Sequence, residues 1–431
     1  MQPTAVWQTR WQALSTTLDE MIQAYQGLAE PTFGAVTTCL KAFGGDQFQF
    51  FLDGFSNVRL LPSPDFPPDN IYRATLDQIS YDITAVQQAV DQRQDGFPTM
   101  HKALKTADAL SQNALNLGIR SDLIKAAAVI TYFLKAPNIR VIPYAPAAVV
   151  GIPFTCLTTP QDYLAIPHEI GHYLYHHGYG LASALQNLLP AMPAWGSGWL
   201  EEIFADVYGC LVAGPVIGLD FQDLLSDNDR QRFTTGDGDH PVDAIRPFIY
   251  TAVLQEMGFV NAAPALDQRW LAVLQSRGNP QSITPGPEFG DISLKEGETF
   301  VRETAVTILN YLRDHYHIPE TAAWTGDLAS PHTNPEQLYQ MFAQNLDQLA
   351  QTKLNRLEIA AKENKVLVVL PNGARRNQRL IGHTHTWRDW AKAQSRQHPK
   401  DQLPPALWIE IFTAGGWPVK GPEGGGGQGS P

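Results

Sequence analysis

The sequence is poor in cysteine. Its three cysteines, Cys39, Cys156 and Cys210, are widely separated in a chain of 431 residues. A small and odd number of thiols excludes the disulfide framework that stabilises many small secreted domains. A reducing compartment is the simpler interpretation, and we expect a cytoplasmic protein.

The chain also lacks a long apolar run. A transmembrane helix needs about 18 to 20 consecutive apolar residues. The two nearest candidates, 123–136 and 207–219, are shorter and are interrupted by lysine in the first case and by glycine and proline in the second. Both are typical of buried helices. The N-terminus has neither the basic start nor the apolar core of a signal peptide, and we expect no membrane span.

Basic residues are fewer than acidic ones. Lys and Arg number 31 against 43 Asp and Glu, which gives a formal net charge of −12. This balance argues against a protein that binds mainly the phosphates of nucleic acids or of lipids, so we expect no nucleic-acid partner. Hydrophobic residues make up 44% of the chain, enough for a globular protein with a large core. The length suggests two or three packed units.

The spacing of apolar residues predicts an α+β fold that is mainly helical, with a small sheet. Helices are predicted over 7–29, 72–92, 100–117, 121–135, 165–177, 199–213, 242–257 and 298–314, and β-like runs over 48–52, 138–145, 147–158 and 365–370. We divide the chain into a helical N-terminal region (1–135), a central unit (136–290), a C-terminal helical region with one short strand (291–415) and a disordered glycine-rich tail (416–431).

The segment IPHEIGHYLYHHG contains an H-E-x-x-H motif, formed by His168, Glu169 and His172. On a helix the two histidines lie about 40° apart on one face and about 6 Å apart along the axis. Both imidazoles can therefore bind one zinc ion while Glu169 lies beside it. Without a third ligand, the alternative is two polar helix positions in contact with solvent.

The segment GWLEEIFADVYG supplies the candidate third ligand. Glu202 and Asp206 are four residues apart, on one face of a predicted helix whose other residues are mostly apolar. Acidic side chains in an apolar helix need partners. We expect Glu202 to bind the metal and Asp206 to accept a hydrogen bond from the outer nitrogen of a ligating histidine. The expected cofactor is one zinc ion per chain.

The order H-E-x-x-H and then E-x-x-A-D resembles the gluzincin metallopeptidases, in which that glutamate is the third zinc ligand. Residues 199–205, W-L-x-E-x-F-A, are similar to the third-ligand helix of zinc aminopeptidases and place the ligand at Glu202. Downstream, His240 and Arg246 form an H-P-x-x-x-x-R box similar to that of integral-membrane zinc endopeptidases. The resemblance implies that 136–290 is a zincin-like catalytic core in which His240 and Arg246 donate to the developing oxyanion.

This ligand set predicts a zinc metallopeptidase that cleaves protein or peptide substrates. Three protein ligands leave a position for a water, from which Glu169 takes a proton. The strand over 147–158 is a candidate edge for an extended substrate, and core packing is an equally good interpretation. His176 is a candidate for contact with substrate or with an acidic group, or a histidine favoured by the helix C-terminus. Tyr208 is a candidate oxyanion donor.

Two other functions stay open. One is a binding or regulatory module that keeps the zincin fold without turnover, against which the intact Glu169 argues. The other is a zinc hydrolase of a non-peptide amide, because the same metal, water and base would serve that reaction.

Overall fold

The computed structural model describes residues 4–189, 191–319, 334–360 and 365–378, together with Trp324 and Trp408. The tail predicted to be disordered, 416–431, lies outside the described residues.

Helices make up most of the described chain. In chain order they are α1 (Thr4–Tyr25), α2 (Thr32–Ser56), α3 (Pro68–Gln94), α4 (Pro98–Arg120), α5 (Ile166–His177), α6 (Leu181–Leu188), α7 (Leu200–Ala213), α8 (Pro215–Ser226), α9 (Arg230–Thr234), α10 (Pro247–Glu256), α11 (Ala262–Ser276), α12 (Leu294–Tyr316) and α13 (Pro335–Leu349). The strands are β1 (Ala128–Leu134), β2 (Asn138–Val141), β3 (Ala147–Pro153), β4 (Ser282–Ile283), β5 (Ile292–Ser293), β6 (Arg356–Ala360), β7 (Lys365–Val369) and β8 (Arg375–Gln378). The predicted class, α+β and mainly helical, is confirmed.

A three-stranded sheet lies at the centre of the molecule, in the order β1-β3-β2. Strand β3 pairs in parallel with β1 and antiparallel with β2. The predicted strand over 147–158 is therefore central, and the prediction that it offers an edge to an extended substrate is wrong, because both its edges are already paired.

The two faces of this sheet belong to two different hydrophobic cores. Val129, Phe133 and Val150 face a core that contains α4, α5, α7, α8 and α10. The alternating residues, such as Ile130 and Val149, face a second core built by α1, α2 and α3. Because successive side chains of a strand point to opposite faces, one sheet can divide the N-terminal helices from the rest.

The prediction of a helix over 121–135 is wrong, since Ala128–Leu134 forms β1. Six of its seven residues are buried. A strand that is covered on both faces has apolar residues at successive positions and shows no alternation. Such an apolar run is equally typical of a buried helix, so the sequence pattern does not distinguish the two.

Three further predicted segments differ from the structure. Residues 48–52, predicted as β-like, lie inside α2, whose 25 residues bury one apolar side against α3. No helix was predicted over 178–198 or over 226–241, but the first stretch contains α6 and the second contains α9. The strand predicted over 365–370 is confirmed as β7, with β6 and β8 paired on either side, where one strand was expected.

Helices α5 and α7 pack closely and carry the motifs described above. A Cβ on Gly171 would lie 2.6 Å from the Cα of Ala205, so the two backbones approach nearer than two side chains would allow. Helix α5 begins with Pro167 in its first turn, where the missing amide proton costs nothing. No described helix is both long and apolar enough to cross a bilayer.

Candidate metal centre

Three side chains from α5 and α7 converge on one point. Ligand atoms of His168, His172 and Glu202 all lie within 4.8 Å of one another. The Nε2 atoms of the two histidines are 3.1 Å apart, and each lies 3.4 Å from an oxygen of Glu202. Three atoms bound tetrahedrally to one zinc ion at about 2.0–2.1 Å stand about 3.3 Å apart. The 3.4 Å separations are to different oxygens of Glu202, Oε2 for His168 and Oε1 for His172, so the carboxylate faces both imidazoles, and this largely buried group could hold a metal ion.

Each imidazole has a carboxylate behind it. His168 Nδ1 lies 2.8 Å from an oxygen of Asp206, so the two groups are close, and the role predicted for Asp206 stays a prediction. His172 Nδ1 lies 2.8 Å from Glu201 Oε1. A carboxylate that accepts the proton of Nδ1 fixes the orientation of the ring and leaves the lone pair on Nε2. In both histidines Nε2 is the nitrogen that faces the point on which the three side chains converge, called the metal point below. The two histidines are thus oriented as ligands by different carboxylates.

Arg246 joins the two acidic residues of α7. Its Nε donates to Asp206 Oδ2 at 2.9 Å, and one terminal nitrogen donates to Asp206 Oδ1 and to Glu202 Oε2, each at 2.9 Å. The Tyr250 hydroxyl also donates to Asp206, and the Phe221 ring covers the guanidinium at 5.1 Å. The same terminal nitrogen lies 3.4 Å from His168 Nε2, so Arg246 contacts both acidic residues of α7 and one of the imidazoles. Its predicted role as oxyanion donor stays a prediction.

His240 lies at the mouth of the group. Its Nε2 is 3.2 Å from Glu202 Oε1, and its Nδ1 is 2.7 Å from Asp237 Oδ2. Asp237 also accepts from the backbone amides of Asp239 and His240. Burial lowers the pKa of His240, but Asp237 and Glu202 outweigh this effect and raise the pKa to about 10. The contacts with Asp237 and Glu202 hold the imidazole beside the Glu202 carboxylate.

Charges within the group oppose the cost of burial. Burial lowers the pKa of His168, but Asp206 and Glu202 raise it to about 9. Burial raises the pKa of Glu202, yet His172 and Arg246 hold that pKa well below its usual range. Glu202 thus keeps its charge inside the protein, which favours a bound cation.

Glu169 differs from the other acidic residues of the site. Within the described part of the chain its carboxylate makes no hydrogen bond or ion pair, although it is next in sequence to His168. Burial raises its pKa, and the imidazoles of His168 and His172 offset only part of this rise. The geometry leaves this carboxylate able to accept a proton.

Of the two remaining candidate residues, His176 lies near the group and Tyr208 does not. His176 Nε2 lies 2.9 Å from Glu201 Oε1, so the structure joins His176 to the acidic group behind His172. Tyr208 does not lie in the site. Its fully buried hydroxyl donates to the carbonyl of Ala114 and accepts from the amide of Gly118, both on α4. Residue 208 lies about 120° around α7 from residue 202, because six residues turn a helix by about 600°.

Sequence reasoning missed Glu201, Asp237, Tyr250 and Phe221. Glu201 directly precedes the third ligand, but neighbours on a helix are about 100° apart, and the spacing gave no reason to place both on His172. Asp237 comes three residues before His240, a spacing typical of a side chain that bonds the amides of a tight turn, and that signal was readable. Tyr250 and Phe221 lie on separate helices and have no local signal.

Comparison of the chain with protein-family models, with curated proteins and with solved structures finds no match in any of the three.

Proposed function

We propose that the protein is a zinc-dependent peptide hydrolase, a metalloendopeptidase with a zincin-like core. The observation that carries the proposal is the convergence of His168, His172 and Glu202, whose ligand atoms lie within 4.8 Å of one another, together with the Glu169 carboxylate, which makes no hydrogen bond within the described residues. The order H-E-x-x-H and E-x-x-A-D supports the same reading.

The donor set favours zinc. Two imidazoles and one carboxylate, with one tetrahedral position left for water or substrate, are typical of catalytic zinc sites. The outer carboxylates Asp206 and Glu201 complete the pattern. When bound, zinc supplies a Lewis acid that polarises a carbonyl and acidifies water.

The side chains then have separate tasks. Glu169 takes the proton of the attacking water and passes it to the leaving amine, for which its raised pKa is favourable. His240, held by Asp237, donates to the oxyanion. Arg246 holds Glu202 and Asp206 in place.

Strand β2 is the best candidate to hold an extended peptide. It forms one edge of the central sheet, pairs only with β3 among the described strands, and packs against α5. A peptide added along β2 would use main-chain hydrogen bonds, which do not depend on side-chain identity.

The test is the zinc content and the peptidase activity of the protein and of its Glu169→Gln variant. Both are incubated with a peptide library that is read by mass spectrometry, and Glu303→Gln, an exposed change on α12, is the matched control. We expect one zinc ion in all three proteins, cleavage by the unmodified protein and the control, and a loss of about 100- to 10,000-fold in the Glu169 variant.

Other outcomes separate the alternatives. Zinc in both proteins with cleavage in neither would favour the binding module, and hydrolysis of small N-acyl amides alone would favour the non-peptide hydrolase. No zinc in the unmodified protein would overturn all three functions.

A further inference from the structure

The two ligating histidines are held in different ways. The carboxylate behind His168 belongs to Asp206, which is fully buried and is itself bound by Arg246 and Tyr250. The carboxylate behind His172 belongs to Glu201, whose side chain is 32% exposed. A partly exposed glutamate has rotamer freedom that a buried, arginine-bound aspartate lacks. Something has to hold Glu201 if it is to orient His172.

His176 supplies that restraint. It lies one helical turn after His172 on α5, and its Nε2 is 2.9 Å from Glu201 Oε1, the oxygen that also lies 2.8 Å from His172 Nδ1. One carboxylate oxygen of α7 thus joins two imidazoles of α5. The close packing at Gly171 and Ala205 brings the first turn of α7 within reach of both rings.

We infer that Glu201 and His176 act together as positioning residues for His172: His176 fixes the Glu201 carboxylate, and that carboxylate fixes the ring and the tautomer of the metal ligand. The Nε2 of His172 faces the metal point and must carry a lone pair there, so the ring proton resides on Nδ1 and is donated to Glu201. This inference rests on the metal site of the proposed function but not on its peptidase activity.

The arrangement predicts a definite coupling. Loss of Glu201 removes the outer partner of His172, and such partners contribute roughly 10- to 100-fold in metal affinity. Loss of His176 acts only through Glu201, so it lowers affinity less and has no effect once Glu201 is gone. A residue that merely stabilised the helix would lower affinity to the same extent in either background.

The experiment is a double-mutant cycle on metal affinity, with the full chain and zinc as the probe. Affinities of Glu201→Ala, His176→Asn and the double variant are measured by competition with a chromogenic chelator, and Glu201→Gln tests rescue by a side chain of the same shape. His315→Asn on α12 and Glu303→Gln are the matched controls. The visible spectrum of the Co²⁺-loaded proteins reports the coordination geometry separately from the affinity.

We expect a 10- to 100-fold loss in Glu201→Ala, with an altered Co²⁺ spectrum, partial recovery in Glu201→Gln, and a double variant no weaker than Glu201→Ala alone. Affinity within twofold of the unmodified protein in Glu201→Ala would overturn the role of Glu201. Losses that multiply in the double variant would overturn the coupling to His176. If the unmodified protein binds no zinc, this inference and the proposed function both fail, whereas zinc binding without peptide cleavage affects only the proposed function.

Discussion

Two buried arginines, one on each side of the central sheet, bind carboxylates in two clusters that look alike at first sight. In the metal cluster, Arg246 binds Glu202 and Asp206. In the N-terminal cluster, Arg140 on β2 binds Asp82 on α3, donates to Gln78 and lies over the ring of Tyr81. Both arginines are nearly covered, with side chains about one-tenth exposed at 9% and 12%.

The two clusters differ in what the acceptor atoms of their side chains face. In the N-terminal cluster the two oxygens of Asp82 are taken by Arg140 and by the hydroxyl of Tyr144, so every group points at another protein group. In the metal cluster, two imidazole nitrogens and the Glu202 carboxylate also face a common point. A buried ion pair alone is therefore no mark of function, and it is the convergence of ligand atoms that distinguishes the metal cluster.

The sharpest way to break this comparison is to remove Arg140. In Arg140→Met, Asp82 is left buried without its cation, and we expect the free energy of unfolding to fall by about 3–5 kcal/mol, with no recovery on addition of zinc. Urea denaturation with and without zinc measures this. The double variant Arg140→Met with Asp82→Leu should recover most of the loss, because an apolar pair replaces the ion pair. A single variant within 1 kcal/mol of the unmodified protein would contradict the claim that the cluster is structural.

Removal of Glu202 should lower zinc affinity strongly and the free energy of unfolding only slightly. In Glu202→Ala we expect zinc affinity to fall by more than about 100-fold, beyond the effect of an outer partner, because a ligand is lost. Stability should change less than in Arg140→Met, since Arg246 keeps its bonds to Asp206. Chelator competition and urea denaturation are the two measurements. Unchanged affinity would place the third ligand elsewhere.

Asp206 gives a smaller effect of the same kind. Asp206→Asn keeps the volume of the side chain but weakens its interaction with the outer nitrogen of His168, and we expect zinc affinity to fall about 10- to 100-fold. Asp82→Asn is the matched change in the other cluster and should leave zinc affinity unchanged. Equal losses of zinc affinity in the two variants would contradict the claim that only one of the clusters binds the metal.

Asp220 on α8 differs from the carboxylates of both clusters, because no arginine contacts it within the described residues. We expect its substitution to have the smallest effect of the changes considered. Burial, together with Asp162 and Asp223, raises its pKa to about 8. The unfolded chain releases this proton near pH 4 while the folded chain retains it to about pH 8, so this group lowers stability as pH rises between those values. Asp220→Asn should show a flatter profile of urea midpoint against pH than the unmodified protein. Asp314→Asn on α12 is the control, and identical profiles for all three proteins would contradict the prediction.

Some predictions succeeded because they rest on local geometry. His168 and His172, and likewise Glu202 and Asp206, are four residues apart, and a helix places such pairs on one face in any protein. The spacing predicted each pair, and the third member of the group, Glu202, was expected from its place in an apolar helix and from the family resemblance; the structure brings His168, His172 and Glu202 together. Tyr208 was misplaced although helix geometry alone puts it about 120° around α7 from Glu202.

Other features had no local signal. The Ala128–Leu134 segment became a strand because β3 lies beside it and cores cover both its faces, which periodicity does not reveal. The central place of β3, which rules out a peptide edge there, follows from its parallel pairing with β1, which passes over the intervening β2 and which strand patterns do not reveal.

The sequence by itself determined the pieces of the site: two helices, each with a pair of polar side chains on one face, and the residue types that bind a metal. Only the tertiary structure decided how the pieces meet: that Glu201 and His176 join behind His172, that Arg246 binds Glu202 and Asp206, and that Asp237 holds His240. The physical reason is that backbone hydrogen bonds within a helix set local spacing, whereas contacts between helices depend on packing of the whole core.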